Sequence, residues 1–257
     1  MRVQVLVAAV NAQKSLLEKM NIQTDAIVGN QCNINEVKDF DYKNNHIKWL
    51  SFAERGVGLN RNNALMRANA DICLFADDDM VYVDDYEQIV LNTFERHPEA
   101  DVIIFNLIEK QPRRYIIPKD TKVNWYNFLR YGTARIAIRL KSIKEQAIYF
   151  NQCFGGGTEH SHGEDNIFLA TCLKNKLKII AVPEYIAELS EERESSWNKG
   201  YDEKYLMDQG YLYHVISRRW WKLLCLQDVI RHKNKYKDIG TWECNYKIMK
   251  KRESNER

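Results

Sequence analysis

The sequence has no apolar run that approaches the roughly 18 to 20 residues needed to cross a bilayer as a helix. Its first residues, MRVQVLVAAVNAQ, lack the long apolar stretch and the cleavage site of a secretory peptide. The six cysteines are scattered and form no CxxC pair. We therefore expect a protein of the reducing cytoplasm, neither stapled by disulfides nor spanning a membrane.

The chain also lacks internal repeats and low-complexity segments. It has 257 residues, of which 45% are hydrophobic and 28% charged, so it has ample material for a core. These values exclude a chain that is disordered as a whole. They predict one large α/β unit, alone or with an appendage.

Charge is unevenly distributed, although the net charge is only +3. Residues 214–257 hold 12 Lys and Arg against 5 Asp and Glu, whereas the remainder holds 26 against 30. A basic segment suits an anionic surface such as a membrane, a nucleic acid or a phosphate-bearing substrate. A solvated helix end explains the same charge.

The spacing of apolar residues predicts an amphipathic helix over 211–230, with Trp220 and Leu223 on its apolar side. The basic residues of 214–237 favour peripheral contact of this helix with anionic lipid. The alternative is a helix that packs Trp220 and Leu223 on the core and leaves its charges in water. No nucleic-acid-binding motif is recognisable, so we expect no nucleic acid partner.

Short apolar runs alternate with helical patterns over the first half of the chain. The runs cover residues 3–9, 25–29, 47–52, 71–76 and 101–106, and helical spacing follows at 58–66 and 86–94. A polar, Asn-rich loop is expected between the second and third runs. This alternation predicts a parallel sheet covered on both faces, with a ligand crevice beyond the carboxyl ends of its strands.

The second half is less regular. We expect a loop or lid at 111–125, a strand at 134–140, a flexible turn at 155–157, a helix opened by Gly163, and a strand at 178–182 that Pro183 ends.

Three adjacent carboxylates, Asp77, Asp78 and Asp79, follow the strand at 71–76. A divalent cation would relieve their repulsion, and oxygen ligands suit Mg²⁺ or Mn²⁺. Mg²⁺ often takes one or two protein carboxylates and leaves its other positions to water and substrate phosphates. The alternative is a solvated turn with Asp79 near a helix start, but the position after a buried strand favours a metal site.

Glu164 and Asp165 follow Gly163 at the predicted helix start. Acids in a first helical turn commonly bind backbone amides and complement the helix dipole. The glycines and polar residues before them also allow a substrate-facing loop. In that case we expect the helix start to keep Asp165 ionised, with a lowered pKa, so that it accepts a proton late in the reaction.

Two further patterns could contact a ligand. Residues 56–63, GVGLNRNN, bring glycines and Arg61 to a helix start, where backbone amides can bind phosphate, but they match neither a Walker loop nor GxGxxG. A plain helix start explains them equally well. His160 and His162 would share one side of an extended strand and could bind zinc or manganese, or they are exposed loop histidines.

In this order the motifs resemble those of family 2 glycosyltransferases of the GT-A fold. The resemblance rests on residues 8–11 (AAVN), 56–65 (GVGLNRNNAL), 75–79 (FADDD) and 163–165 (GED). It implies an α/β fold with a Rossmann-like, mostly parallel sheet flanked by helices. The implied organisation is a catalytic domain at 1–190, with a nucleotide-sugar half at 1–110 and an acceptor half at 111–190, and a basic helical C-terminal extension at 191–257.

The resemblance implies a metal-dependent, inverting enzyme that moves a sugar from a nucleotide-sugar donor, expected to be UDP-linked, to a hydroxyl of a glycan or lipid-linked acceptor. Asp165 would be the catalytic base and Glu164 an acceptor contact. Asp79, with Asp77, would hold Mn²⁺ or Mg²⁺ in an Asp-X-Asp motif. The implied contacts with the nucleotide-sugar are Ala8, Asn11, Asn30, Arg61, Asn62, Asp77 and Asp78.

Some positions depart from the family's pattern. The first strand carries Ala8 and Ala9 where Pro and Thr are usual, and the second ends in Asn30 and Gln31 instead of acids, which leaves the nucleotide base open. The third metal ligand is also open; the candidates are Glu191, Glu192, Glu194 and a histidine.

Other functions compete with this hypothesis. A nucleotidyltransferase would need a basic, Gly-rich triphosphate loop, which residues 8–15 lack. An inactive module that binds sugar nucleotides or glycans would use the same acids for binding only. By the resemblance, we expect the enzyme in the cytoplasm or at the inner face of the membrane, in the assembly of a bacterial cell-surface polysaccharide.

Overall fold

A ten-stranded mixed sheet runs through the residues that the computed structural model describes, which are 1–111, 114–190 and 200–251. Its strands are β1 (Val3–Val10), β2 (Asp25–Gln31), β3 (Glu36–Tyr42), β4 (Asn45–Phe52), β5 (Ile72–Asp77), β6 (Met80–Tyr82), β7 (Val102–Ile108), β8 (Thr121–Lys122), β9 (Ile136–Arg139) and β10 (Ile179–Leu189). They are ordered β3-β4-β2-β1-β5-β9-β7-β10-β6, and β8 pairs with β10.

The sheet is mostly parallel, as expected from the alternation of strands and helices. Strands β4, β2, β1 and β5 pair in parallel, and so do β7 and β10. Between these groups β9 is antiparallel to both β5 and β7, so all six parallel strands point the same way. Their carboxyl ends therefore lie along one edge of the sheet, where a ligand crevice forms.

Helices cover both faces of the sheet. They are α1 (Leu16–Lys19), α2 (Val57–Arg67), α3 (Tyr86–Arg96), α4 (Leu140–Glu145), α5 (Glu164–Lys174), α6 (Glu203–Ile216), α7 (Trp221–Arg231) and α8 (Trp242–Met249). Successive residues of β1 alternate between the two core layers: Leu6 packs in the layer under α2 and α5, and Val5 and Val7 pack in the layer under α1 and α3. Each buried aliphatic side chain of this kind contributes about 1.5–3 kcal/mol.

Two strands differ from the expectations. The polar segment expected as a loop contains β3, which pairs with β4 at the sheet edge; because most of its side chains are exposed, it lacks the apolar alternation that marks a half-buried strand. Pro183 does not end β10, since the strand continues to Leu189. The register with β7 shifts between Ala181 and Tyr185, and this irregularity accommodates a residue that has no amide hydrogen.

The predicted helix over 211–230 is wrong in its bounds. The segment belongs to two helices, α6 and α7, which are separated at Ser217–Trp220, and the segment 214–237 is accordingly not one helix. Helices α6, α7 and α8 pack on one another, and α6 also packs on α5. At Gly210 of α6 a Cβ atom would lie only 1.8 Å from the carbonyl oxygen of Met249, so the absence of a side chain there permits the close approach of α8.

Among the described residues, none of the helices combines the length and the apolar composition that crossing a membrane requires.

Candidate active site

The carboxyl ends of β1, β2 and β5 meet at one point of the sheet edge. In the strand register Ala8 of β1 lies between Gly29 of β2 and Asp77 of β5. The side chain of a residue at Gly29 would collide with Asn60, whose amide lies 2.6 Å from the position of a Cβ atom. Glycine at this position therefore allows α2 to approach the strand ends, and Arg61 is carried there with it.

Arg61 joins the two acidic motifs. Its buried guanidinium donates from Nη2 to Asp77 Oδ1 at 2.6 Å and from Nη1 to Glu164 Oε1 at 2.8 Å. Burial opposes the charge of Arg61, but the carboxylates of Asp77 and Glu164 outweigh it and raise the pKa of the guanidinium above its ordinary value. The Asp77 end of β5 and the first turn of α5 thus lie within the span of one side chain.

Asp165 occupies the first turn of α5, next to Glu164. Burial and, after it, the negative charge of Glu164 raise the pKa of Asp165 to about 7, against the opposing effects of the Asn166 N–H and the charge of Arg61. The expectation of a lowered pKa was wrong because desolvation outweighs the helix dipole here. A carboxylate with a pKa near neutrality is suited to accept a proton.

Gly132 borders Asp165, and no pattern in the sequence singled it out. A Cβ atom at Gly132 would lie 3.3 Å from Asp165 Oδ2. Its backbone is extended, with φ −103° and ψ 167°, so the backbone conformation itself does not require glycine. The missing side chain instead leaves space beside the carboxylate.

Asp78 and Asp79 form the turn between β5 and β6. Asp78 Oδ2 accepts a hydrogen bond from the Val10 N–H at 3.3 Å, which ties the turn to the end of β1. Burial, together with the negative charges of Asp77 and Asp78, raises the pKa of Asp79. A bound cation would offset the repulsion between these negative charges.

The possible ligands at this turn are carboxylate oxygens, which suit a hard divalent cation. The raised pKa of Asp79 shows that its negative charge is unfavourable without such a cation. No group of three or more His, Cys, Asp and Glu side chains in the described part of the chain is arranged to hold a metal. Two carboxylates suffice where substrate phosphates supply further ligands. The candidates Glu191, Glu192 and Glu194 lie outside the described residues.

A cavity of about 450 Å³ opens at the ends of β1, β2 and β4. Asn11 and Asn30 line it, with Lys14 and Trp49 among its other walls. The Asn30 side chain is buried and its Oδ1 accepts from the Ala12 N–H at 2.8 Å. Asn30 therefore fixes the segment after β1 at the rim of the cavity.

Asn62 lies apart from the acidic residues. Its Nδ2 donates to the Phe150 carbonyl at 2.9 Å and its Oδ1 accepts from the Phe150 N–H at 2.8 Å. Both polar atoms of the side chain are thus used to hold the backbone near residue 150. The structure brings Arg61 to the acids but does not bring Asn62 there.

His160 and His162 do not converge on a common point. His160 Nδ1 is 2.9 Å from Asp208 Oδ1, and His162 Nε2 is 2.7 Å from Gln209 Oε1, so each imidazole is bonded to a different side chain of α6. Asp208 also accepts from the Ser161 N–H at 3.1 Å. Helix α6 therefore holds the loop that leads into Glu164 and Asp165.

The role of Asp208 was missed because it lies far along the chain from the loop that it binds. Burial opposes its charge, but hydrogen bonds from His160, from the Ser161 N–H and from Lys204 hold the pKa of Asp208 below its ordinary value. The helix predicted from the sequence began at residue 211, so Asp208 lay outside it and no local pattern marked its burial.

Comparisons with known proteins agree with this architecture. The family model described as Glycosyl transferase family 2 matches residues 15–154, more than half of the chain. A crystal structure of S. aureus TarS 1-349 in complex with UDP-GlcNAc aligns with a TM-score of 0.67 and 16% identity, covering 91% of this chain and 73% of that one. The complex of TarS 1-349 with UDP gives a TM-score of 0.62 at 16% identity, with 91% and 72% covered.

A longer S. aureus TarS chain aligns with a TM-score of 0.63 and 15% identity. The alignment covers 90% of this chain and 43% of that one, so this chain spans less than half of the longer TarS chain. A search of curated proteins found no match. At these identities the structural likeness shows the fold, which is the GT-A fold that the resemblance implied.

Proposed function

The chain belongs to glycosyl transferase family 2, and we propose from that premise that it moves a sugar from a UDP-linked donor to a hydroxyl of a glycan or lipid-linked acceptor. The match to the family supports the reaction class. The TarS structures that share the fold were solved with UDP-GlcNAc and with UDP, which supports a uridine nucleotide as the donor's leaving group. Transfer by a single displacement inverts the anomeric configuration.

One observation carries the proposal: Arg61 binds Asp77 and Glu164 at once. The acids at the end of β5 and the acids at the start of α5 are therefore neighbours in one site. A donor at the first group and an acceptor at the second would meet across a distance comparable to a sugar ring. Neither group of acids alone would indicate transfer between two substrates.

In the proposed reaction, Asp165 accepts the proton of the acceptor hydroxyl as the oxygen attacks the anomeric carbon. The bond from that carbon to the diphosphate breaks on the opposite face, and the positive charge that develops on the sugar is characteristic of glycosyl transfer. A pKa near 7 lets Asp165 be ionised before attack and still hold the proton afterwards. Glu164 adds an acceptor contact while its Oε1 remains bonded to Arg61.

Asp79 and Asp77 are the residues that would hold Mn²⁺ or Mg²⁺. Such a cation supplies charge neutralisation of the departing diphosphate, which lowers the barrier electrostatically. Of the two acids that bind Arg61, Asp77 is more exposed than Glu164, with 38% of its side chain accessible. Asp77 could therefore contact a cation while Arg61 stays buried as the fixed positive charge of the site.

The cavity at the ends of β1, β2 and β4 would receive the nucleotide. Asn11 lies on its wall. Ala8 is paired with Asp77 in the strand register, and Asp78 accepts from the Val10 N–H, one residue before Asn11. Asn30 contributes to the proposed base site by positioning Ala12. Asn62 supports the site through Phe150, since its side chain is bonded there.

The remaining expectations are part of the same proposal. We place the catalytic domain at 1–190, with its nucleotide-sugar half at 1–110, and we assign 191–257 to the extension that bears α6–α8. Work at the inner face of the membrane would suit a lipid-linked acceptor, and the contact surface is argued below.

Donor binding and turnover test the proposal in two steps. A thermal-shift panel of UDP-, GDP- and dTDP-sugars with and without Mn²⁺ should show the largest rise in Tm for a UDP-sugar with Mn²⁺, because a ligand that binds only the folded state stabilises it. The best donor should then release UDP slowly in the presence of Mn²⁺ even without an acceptor.

Three results would overturn the proposal. No shift with any sugar nucleotide removes the donor site. Binding without any release of nucleotide over a long incubation indicates an inactive binding module. Release of pyrophosphate from a nucleoside triphosphate and a sugar phosphate indicates a nucleotidyltransferase.

A further inference from the structure

Helix α7 presents an apolar strip to solvent. Leu223 and Ile230 lie seven residues apart, two helical turns, and so share one side of the helix. They are 57% and 54% exposed, and Trp220, one turn before Leu223, is 54% exposed. We call this strip of Trp220, Leu223 and Ile230 the outer face of α7. Such an exposed row of large apolar residues marks a contact surface when it is contiguous.

The opposite side of α7 is already packed. Trp221, Cys225, Asp228 and Val229 are buried against the neighbouring helices. The Asp228 carboxylate is fixed there by Tyr236, whose hydroxyl donates to it at 2.9 Å. The inward side of α7 is already packed against its own chain. The outer face is therefore not the side by which α7 packs on the core.

Positive charge is concentrated in the segment that contains the outer face. The segment 214–237 contains a single acid, the buried Asp228, and seven basic residues, which are Arg218, Arg219, Lys222, Arg231, Lys233, Lys235 and Lys237. None of these seven forms an ion pair with a carboxylate among the described residues. Arg219 instead lies over the Trp220 ring, 5.1 Å from its centroid, so its charge stays beside the apolar strip.

We propose that the outer face of α7 binds the surface of an anionic lipid bilayer. A helix lying in the interface needs an apolar strip for the acyl boundary, basic flanks for the headgroups and aromatic residues between them, and α7 has all three. A soluble polyanion would use the charges but would leave Leu223 and Ile230 in water. Contact with an anionic lipid surface uses both parts of the surface.

The proposed contact lies on the helix that follows α6, which packs on both α5 and α7. Helix α6 leads directly into α7, and Asp208 of α6 holds the loop before Glu164 and Asp165. The binding itself needs no donor and no turnover, so it can be tested even if the proposed reaction is wrong.

Co-sedimentation of the full chain with vesicles tests the proposal. The chain should bind vesicles of phosphatidylcholine with about 30 mol % phosphatidylglycerol and not vesicles of phosphatidylcholine alone, and about 0.5 M NaCl should weaken binding. The double substitution Leu223→Gln with Ile230→Gln should weaken binding by about ten-fold or more. Met66→Gln, which removes an apolar side chain of similar exposure (50%) from α2, should leave binding unchanged.

Fluorescence gives a second readout that reports on the outer face itself. Addition of anionic vesicles should shift the tryptophan emission to shorter wavelength, and Trp220→Phe should remove most of that shift. The substituted side chains are exposed, so the unfolding transitions of the variants should match the parent's and confirm that they fold.

The proposal fails if the chain does not bind anionic vesicles, or if it binds neutral vesicles equally well. It also fails if the double variant binds like the parent. Inorganic polyphosphate is the competitor to include: if it binds the parent and the double variant with equal affinity and displaces both from vesicles, the surface is a polyanion site and not a lipid site.

Discussion

Asp77 and Glu164 bind opposite ends of one guanidinium group, that of Arg61, although Glu164 follows Arg61 by 103 positions in the sequence. The contact fixes the end of β5 relative to the start of α5. Arg61 also places a buried positive charge between two carboxylates. The two carboxylates together offset the cost of burying that charge, which neither would offset alone. The geometry of the proposed site therefore depends on a residue that is not itself an acid or a base in the reaction.

Replacing Arg61 should destabilise the protein even when the charge is kept. Arg61→Lys retains one positive charge but cannot bind both carboxylates in the same geometry, so we expect a loss of about 2–4 kcal/mol in the free energy of unfolding. Urea unfolding measures it. Arg67→Lys is the matched control on α2, because Arg67 is exposed, donates to Asn63 of its own helix and lies over the Phe52 ring without bridging two acids; equal effects of the two substitutions would contradict the bridging role.

Asp165→Asn should separate chemistry from binding. An amide cannot accept the acceptor's proton, so transfer should fall by at least about 10³-fold. In the proposed arrangement the donor binds on the other side of Arg61, so the affinity for UDP, measured by calorimetry, should stay within a few-fold of the parent's. A loss of UDP binding in this variant would remove Asp165 from the role of base.

The pH dependence of transfer should report the unusual pKa of Asp165. Because the pKa is raised to about 7, the rate under saturating substrates should rise with pH and level off above that value. An ordinary aspartate, with a pKa of 3.8, would already be ionised throughout this range. A rate that is constant between pH 5 and 8 would be inconsistent with Asp165 as the titrating base.

Stability gives an independent check of the same pKa. The folded chain retains a proton on Asp165 that the unfolded chain releases above pH 3.8, so the free energy of unfolding should decline as pH rises toward about 7 and then become constant. Asp165→Asn should flatten this decline and make the protein more stable than the parent at pH 8, by about 1–4 kcal/mol. Denaturant unfolding at pH 5 and pH 8 measures both.

Asp79→Ala should remove the part of donor binding that depends on Mn²⁺ or Mg²⁺. Burial and the charges of Asp77 and Asp78 raise the pKa of Asp79, so a cation beside it would stabilise its ionised form. Titration of UDP with and without Mn²⁺ measures the difference. Asp41→Ala, at an exposed carboxylate of β3, is the control; a cation-dependent increment that survives in Asp79→Ala would place the cation elsewhere.

Gly132→Ala should impair catalysis without affecting the fold. The new methyl group would lie 3.3 Å from Asp165 Oδ2 and would crowd the space proposed for the acceptor hydroxyl. We expect kcat to fall by about ten-fold or more, the donor KM to stay unchanged, and stability to change by less than about 1 kcal/mol. Gly240→Ala creates a contact of the same 3.3 Å, to Cys244, far from these acids in sequence; a kcat loss shared by both variants would point to a general effect.

The sequence allowed prediction of the features that rest on local pattern. Buried parallel strands are continuous apolar runs, so β1, β2, β4, β5 and β7 were identifiable, and the acids that follow β5 were placed at the correct edge of the sheet. The start of α5 was likewise marked by Gly163 and its two acids. In each case the signal lies within about ten residues of the feature.

The remaining features depend on contacts between distant parts of the chain. No local pattern in the sequence predicts three of these contacts. They join Arg61 to Glu164, Asn62 to Phe150, and Asp208 to His160. The pKa of Asp165 was misjudged for the same reason, because its burial is produced by elements outside α5. Strand β3 escaped prediction because an exposed edge strand needs no apolar face.

The contact between Gly210 and Met249 has a practical consequence for work on the C-terminal part. Residues near 249 press directly on the backbone of α6, the helix whose Asp208 supports the loop ahead of Asp165. A chain that ends before Met249 would therefore expose α6 and weaken the support of Asp165. It would also lack some of the positive charge. Truncation would then lower catalysis and lipid affinity together, and only single side-chain exchanges on the outer face of α7 can separate the two.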